Sequence, residues 1–515
     1  MPDSRTSGYI VPDRMIEDGN AEVVLSGEPS LTIYGSARLS ASASDGYQIE
    51  VECQEWSGEV GIETPGGQRA KVEELRVTVT NGRLTAIGPF TLAGIRGDRT
   101  LRLRPPLCEW VPTGASAARA LRVPVVNLIA PFGEASREVP DELPRVNGRK
   151  LFLETSRGLG FIVAANGYQE TRRRLQEGKS GREVTSALVI PLSDSLSQSD
   201  GLSSVLTRGI FPALSIASGN EVGCGWVDFV DSRGGLARRV LASWLPHSFN
   251  PGDAVLGDAA GQDWCDLLSA VLASPHCGQL YLRAAMMRAV RAGQEGQILE
   301  DHLVHVVRGI ENLAKVLGLH TVDVSGTLGG DYSKVRALSN GFRDRLNEFK
   351  QRFPEEADAG RRDVLNRLAS KASGITSINR GLGEQVARLT EYFELHDIQI
   401  VDEYFRTYRP EADHPWTTEL VRLRNQAAHG GYFEFNPRSP YPQYSGRIIA
   451  HIDDILVRSI LKLVGYSGGY WSRVRTNDWK DVDWVTPTTT QDELGYEEGI
   501  TIDDASVVTE LRRRN

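Results

Sequence analysis

A chain of 515 residues is long enough for about two to four domains. Its hydrophobic fraction of 40% and charged fraction of 24% are ordinary for a soluble globular protein. A net charge of −9 argues against a constitutive nucleic-acid coat protein, whose surface would be basic overall, but leaves room for a local basic site on an acidic body.

The five cysteines (Cys53, Cys108, Cys224, Cys265 and Cys277) are scattered, odd in number and form no CxxC pair. That pattern speaks against a disulfide framework or zinc ribbon and fits a reducing cytoplasm. Residues 1–20 read as a terminal arm, polar and acidic, without the apolar core of a signal peptide. No apolar run is long enough to span a bilayer, so no membrane partner is expected.

From about residue 21 to about 255 the chain reads as β-rich. Ser30–Tyr34, Tyr47–Cys53 and Leu75–Thr80 alternate apolar and polar residues, the period of a half-buried strand. Asn81-Gly82 follows the third run and predicts a two-residue hairpin turn into Leu84–Ile87. Prolines gather at Arg104-Pro105-Pro106 and again from Pro140 to Pro144, which marks 105–148 as a join. A second β-rich stretch includes Lys150–Glu154, Gly160–Ala164 and Trp226–Val230. Many short strands predict an antiparallel sandwich or barrel, either one large sandwich or two sub-sandwiches split near 105–148. Arg172-Arg173-Arg174 with Lys179 and Arg182 is a basic cluster, either a nucleic-acid contact or a solvated loop. Ser193–Ser204, rich in serine, predicts a mobile loop.

Near residue 260 the period becomes helical and stays so to about 466. Helices are predicted over Leu280–Ala292, Ile298–Leu317, 333–352, 361–373, 383–408, 416–428 and 445–464, joined by short connections as in an antiparallel bundle. Residues 467–515, with Trp471, Trp479 and Trp484 among acids, read as an irregular acidic tail. The fold class is therefore α+β multidomain, an N-terminal antiparallel β-sandwich-like region followed by a C-terminal α-helical bundle.

The bundle carries Arg424-Asn425-Gln426-Ala427-Ala428-His429-Gly430-Gly431. Asn425 and His429 are four apart and share a helix face, and Arg424 lies about 100° around from Asn425. The alanines keep the surface low, so another surface can approach. The two glycines end or bend the helix and leave His429 at its C-terminus, a position that favours the imidazolium. Imidazole moves protons near neutral pH, and a guanidinium fork grips phosphate oxygens and steadies charge growing on them. These groups suit phosphodiester chemistry.

The motif Arg424-Asn425-x-x-Ala428-His429-Gly430, followed by the amphipathic helix Ile448–Val464, resembles the signature of the HEPN superfamily: Arg, a polar residue often Asn, a few variable positions, then His. The match covers roughly residues 280–466. A β-rich region ahead of such a bundle is similar to the layout of ApeA-type HEPN proteins. The resemblance implies a homodimer or higher oligomer in which two motifs face each other across one composite site. It implies RNA cleavage by the substrate's own 2′-hydroxyl, with no metal and no cofactor. His429 would be general base or acid, Arg424 would hold the phosphate, and Asn425 would orient one of them. Products would carry a 2′,3′-cyclic phosphate and a 5′-hydroxyl, and DNA would be spared. It further implies a cytoplasmic anti-phage, abortive-infection or toxin role, with a phage- or cell-derived trigger acting on the N-terminal region. Glu311 and Asn312 resemble polar positions that HEPN bundles place near the pocket; their plainer reading is a surface pair. Arg422 either adds phosphate affinity or is solvated.

Other readings remain. The bundle could be a non-catalytic dimerisation or nucleotide-binding module beneath a ligand-sensing β-region. A carbohydrate-active β-region would use residues such as Glu52, Glu55 and Trp56. His302 and His305, with Glu300 or Asp301, could hold a metal, against the plainer reading of solvated or interface residues. No GxxxxGK loop or GxGxxG fingerprint is present, so nucleotide hydrolysis and dinucleotide redox chemistry lack support.

Overall fold

The computed structural model describes residues 14–25, 31–53, 71–79, 82–86, 90–91, 94–96, 100–103, 105–133, 138–141, 143–155, 158–197, 199–352, 359–373, 378–395, 406, 413–429, 441–474 and 479–483. The chain divides into two compact units. The first comprises Met1–Gly309 and Ile449–Trp484; the second comprises Ile310–Ile448 and Val485–Asn515.

The first unit is built on antiparallel β-structure. Its strands are β1 (Arg14–Leu25), β2 (Leu31–Ser42), β3 (Gly46–Cys53), β4 (Lys71–Val79), β5 (Gly82–Ala86), β6 (Phe90–Thr91), β7 (Gly94–Arg96), β8 (Thr100–Leu103), β9 (Leu107–Pro112), β10 (Ala120–Val126), β11 (Lys150–Thr155), β12 (Gly158–Ala164), β13 (Val184–Pro191), β14 (Cys224–Val230) and β15 (Leu236–Trp244). They form one large hydrogen-bonded sheet in the order β11-β12-β13-β10-β14-β15-β9-β5-β4-β1-β2-β3-β8-β7, with β6 beside β4. The proline-bearing stretch near 105–148 is therefore not a join between sheets: β9 and β10 both lie inside this one.

In β3 the period of two is plain. Tyr47, Ile49, Val51 and Cys53 are buried, while Gln48, Glu50 and Glu52 lie toward solvent. Their buried face joins Val23, Leu39, Leu75, Leu84 and Trp110 in one core, which also takes in Trp226 and Leu241 from β14 and β15. The sheet coils far enough to bring β3 against those two strands. Gly225 allows the approach, since a Cβ there would stand 2.7 Å from the Ala43 carbonyl oxygen. Strand β14 is buried along its whole length.

A row of charges crosses the middle of the sheet. Asp228, Arg239 and Arg122 stand directly opposite one another on β14, β15 and β10. Arg239 donates to Asp228 from Nε at 2.6 Å and Nη2 at 3.1 Å, and Arg122 donates from Nη2 at 3.0 Å. Asp228 and Arg239 are buried, and the Arg239 guanidinium lies 4.4 Å from the Trp226 ring centre.

Two sequence expectations are corrected here. The expected hairpin into Leu84 forms, with β4 antiparallel to β5, but Gly82 pairs with Val79 and is a strand residue, and Asn81 lies outside the described residues. That glycine is needed for close approach to β9, where a Cβ would lie 2.4 Å from the Val111 carbonyl oxygen. Gly82→Ala is expected to destabilise the protein by about 1–3 kcal/mol, read as a lower urea midpoint, because backbone must move to admit the methyl. An unchanged midpoint would mean that β5 and β9 separate freely.

The serine-rich segment is also not a loop. After α1 (Tyr168–Gln176), the described residues of 194–218 are helical: α2 (Asp194–Ser197), α3 (Ser199–Val205), a π turn over Leu206–Ile210, and α4 (Phe211–Ser218). Ser193 accepts the Leu196 backbone N–H through Oγ at 3.2 Å, so a serine that counted toward a loop opens a helix.

Helices dominate from residue 261: α5 (Gly261–Ala273), α6 (Leu280–Ala292), α7 (Leu299–Val316), α8 (Val324–Leu328), α9 (Tyr332–Lys350), α10 (Ala359–Ser373), α11 (Leu382–Tyr392), α12 (Trp416–Ala428) and α13 (Tyr441–Val464). The expected helix over 383–408 is seen only in part: α11 ends at Tyr392, the chain turns at Phe393 and Glu394 (φ 56°), and residues 396–405 lie outside the described residues. Helix α13 is not amphipathic through its middle. Residues 451–461 are all buried, including His451, Asp453, Asp454 and Arg458. Asp454 is held by Tyr470 Oη at 2.7 Å, Ser472 Oγ at 3.0 Å and the Arg473 N–H at 2.7 Å. These partners belong to a short hairpin, Gly469–Trp471 with Trp479–Asp481, at the start of the expected irregular tail. Trp471 and Trp479 meet edge to face across it at 5.2 Å, and Trp484 lies outside the described residues.

All five cysteines are free thiols. Among the described residues no helix is long and apolar enough to cross a membrane.

Candidate functional site

Helix α12 lies in the second unit. Pro415, in extended conformation (φ −71°, ψ 156°), leads into it, and His429 closes it with φ −102° and ψ 16°. Its buried residues are Trp416, Glu419, Leu420 and Leu423, the spacing of one apolar stripe. Gly383 at the start of α11 lets that helix come close, since a Cβ there would stand 2.4 Å from Thr417 Cβ. The stripe fixes which way the motif faces. Asn425, Ala428 and His429 are exposed, while Arg424 is half-buried at the edge of the stripe.

The Arg424 guanidinium reaches toward α7, where Nη2 lies 3.8 Å from Glu311 Oε1. Both side chains are 35% exposed, so the pair contributes little stability, on the order of 0–1 kcal/mol. Arg424 Nε is buried and has no hydrogen-bond partner among the described residues. Asn312 follows Glu311 on α7 and is half-buried. The His429 backbone N–H donates to the carbonyls of Asn425 and Gln426 at 3.1 and 3.3 Å, closing the last turn. The next residues, Gly430 and Gly431, lie outside the described residues.

Arg422 has a different occupation. It donates to Glu419 at 2.6 and 3.0 Å and to Gln426 Oε1 at 3.1 Å. Glu419 is buried, so this guanidinium compensates a carboxylate that would otherwise be costly to bury. The structure thus brings together Arg424 and Glu311, sets Asn425 and His429 on one outward face, and holds Arg422 to its own helix.

No family model, characterised protein or solved structure matches this chain. An exposed imidazole and amide one helical turn apart, beside a half-exposed guanidinium, can take up a phosphate and exchange a proton with it.

The other sequence candidates are distributed elsewhere. His302 Nε2 lies 3.1 Å from Asp453 Oδ2, while His305 Nδ1 accepts from Arg288 Nη1 at 2.9 Å. The two histidines therefore have separate partners, and among the described residues no three potential ligands gather for a metal. Burial, then the nearby Arg288 and Arg291 charges, push the His305 imidazole down to about 4. An unfolded histidine binds its proton near 6.5, so the unfolded state is the more protonated between about 4 and 6.5. Stability is expected to fall as pH drops through that window, and His305→Gln should shrink the difference between midpoints at pH 7 and pH 5. An equal difference in the variant would remove His305 from the account.

The basic cluster is helical: Arg172, Arg173 and Arg174 sit on α1. Arg173 pairs with Glu170 at 2.9 Å, Arg174 with Glu183, and Lys179 with Glu177 at 2.5 Å. Of the residues weighed for carbohydrate chemistry, Glu52 lies exposed on β3, and Glu55 and Trp56 fall outside the described residues. Sequence reading missed one charged constellation, Glu221 with His247 and Arg291. It is assembled across separations of 26 and 70 residues and leaves no local signal.

Proposed function

We propose that this protein is a metal-independent endoribonuclease whose site forms when two copies pair, and that it acts as an anti-phage, abortive-infection or toxin effector in the cytoplasm. In this reading the second unit holds a HEPN-type bundle and the β-rich region of the first is a sandwich-like sensor for a phage- or cell-derived trigger. The observation that carries it is the disposition of Arg424, Asn425 and His429. Asn425 and His429 are exposed on α12, and Arg424 stands half-buried beside them, with its Nη2 3.8 Å from Glu311 Oε1. One such set is a half-site: it offers one imidazole, whereas cleavage through a 2′-hydroxyl needs a proton removed from the nucleophile and another supplied to the leaving oxygen.

Pairing is supported by an apolar surface in the same unit. Leu338, Phe342 and Phe349 on α9, with Val364 and Leu368 on α10, are exposed on two helices that pack on each other. Patches of this kind mark contact surfaces in proteins that must remain dissolved.

In the proposed reaction one His429 removes the 2′-proton as the oxygen attacks phosphorus. The partner's His429 protonates the departing 5′-oxygen. Arg424 neutralises the growing charge on the non-bridging oxygens, and Asn425 orients the phosphate or the imidazole. Glu311 holds the guanidinium at the edge of the stripe until substrate displaces it.

The test is incubation of the purified protein with RNA and with DNA of the same sequence, with and without a chelator. RNA should be cut in both conditions to 2′,3′-cyclic phosphate and 5′-hydroxyl ends, and DNA should remain whole. Loss of cutting in chelator, or 3′-hydroxyl products, would overturn the mechanism.

A further inference from the structure

A cleft of about 530 Å³ opens in the first unit, between α6, the π turn ahead of α4, and the chain that follows β15. Among the described residues four guanidiniums line it, Arg208, Arg283, Arg288 and Arg291, and the only carboxylate on its walls is Glu221, which is already engaged. Glu221 is buried, accepts from Arg291 Nε at 2.9 Å and from the His247 backbone N–H at 3.2 Å, and contacts the His247 ring. Burial alone would raise its proton affinity, but these hydrogen bonds outweigh it and hold the carboxyl below its ordinary value.

The remaining cations lack such compensation. Arg208 and Arg283 are exposed and have no ion pair among the described residues. Arg288 spends a hydrogen bond on the ring of His305, which carries no negative charge. Partial burial, then the neighbouring Arg308 and Arg291 charges, lower its hold on its proton. Like charges gathered around a concavity repel one another, and an anion that entered would relieve them. Beside the guanidiniums the walls are mixed, with Phe211, Trp244, Leu245 and Met287 among Ser203, Thr207 and His247.

We propose that this cleft is a binding site for a nucleoside phosphate, with the phosphate on Arg208, Arg283 and Arg288 and the base against Trp244 and Phe211. The volume suits a ligand of mononucleotide size. Guanidinium forks match phosphate oxygens, and aromatic faces accept a planar base. A simple inorganic anion would leave those two rings unused. The site stands apart from the ribonuclease reading, because it involves none of the residues of α12.

The experiment is calorimetric titration of the full-length protein with AMP, ATP, adenosine and inorganic phosphate at physiological salt. AMP or ATP should bind with a micromolar Kd, and adenosine and phosphate should each bind at least tenfold more weakly. Arg283→Ala and Arg288→Ala should each weaken nucleotide binding at least tenfold, while Arg172→Ala, which removes the same charge from α1, should not. Arg283 is exposed and outside any internal pair, so its variant carries the test even if Arg288→Ala fails to fold. Absence of nucleotide binding up to millimolar concentration overturns the proposal. So does binding unchanged in Arg283→Ala, or phosphate binding as tightly as AMP.

Discussion

His429→Ala is expected to lower RNA cleavage by about 10²–10⁴-fold, the usual contribution of a positioned general acid or base. Its unfolding midpoint should stay within about 0.5 kcal/mol of wild type, because the side chain is exposed and closes the helix through its backbone alone. That combination separates a chemical role from a structural one. Arg424→Ala should match it, and Arg424→Lys should recover little. A lysine ammonium is a point charge and cannot hold two phosphate oxygens in the plane of a fork. Glu311→Ala should cost much less, roughly tenfold at most, since its 3.8 Å contact is a weak, half-exposed restraint on Arg424. Arg422→Ala should act mainly on stability, through the buried Glu419 that it leaves behind. The decisive measurement is single-turnover cleavage beside urea unfolding for the whole series. Cleavage by His429→Ala at the wild-type rate would end the catalytic reading.

Asp228→Ala carries the largest expected effect on stability, about 3–5 kcal/mol. Removing the carboxylate leaves the buried Arg239 guanidinium, and the Arg122 fork beside it, without their shared anion in the middle of the sheet. The Trp226 face offsets only part of that charge. Because Asp228, Arg239 and Arg122 sit opposite one another on three adjacent strands, the loss should loosen β10, β14 and β15 together. Hydrogen exchange should show the three strands losing protection as one group, beside a lower urea midpoint. Asp228→Asn keeps the shape and part of the hydrogen bonding and should fall between the two. A midpoint in Asp228→Ala equal to wild type would mean that water reaches these guanidiniums.

Much of the local structure was legible, for local reasons. Leu280–Ala292 and 416–428 were bounded correctly because an apolar stripe of period 3.6 ran between clear stops. Tyr47–Cys53 showed its alternation because one face of β3 meets the core and the other meets water. The same reasoning explains the misses. Helix α4 is buried on all sides, from Phe211 to Ser218, so no period distinguished it. Ile448–Val464 reads as an amphipathic helix, and only distant partners such as His302 and Tyr470 show that its Asp453 and Asp454 are inside. The pairing of β9 with β15 unites residues 107–110 with residues 239–242, and nothing in either stretch names the other. The candidate site shows the same division. Asn425 and His429 share a face by their spacing alone, whereas the burial of the Arg424 Nε depends on how its neighbours pack.

The first compact unit is discontinuous: it needs Ile449–Trp484 as well as Met1–Gly309. A ribosome delivers those two pieces with the whole of Ile310–Ile448 between them. The first unit can therefore be completed only after the whole intervening segment has been made, when its closing helix and hairpin emerge. The segment bearing Arg424 and His429 leaves the ribosome before the unit that precedes it can finish folding. For the ribonuclease proposed above, the interval between those two events would be a period of exposure imposed by the order of the segments in the chain.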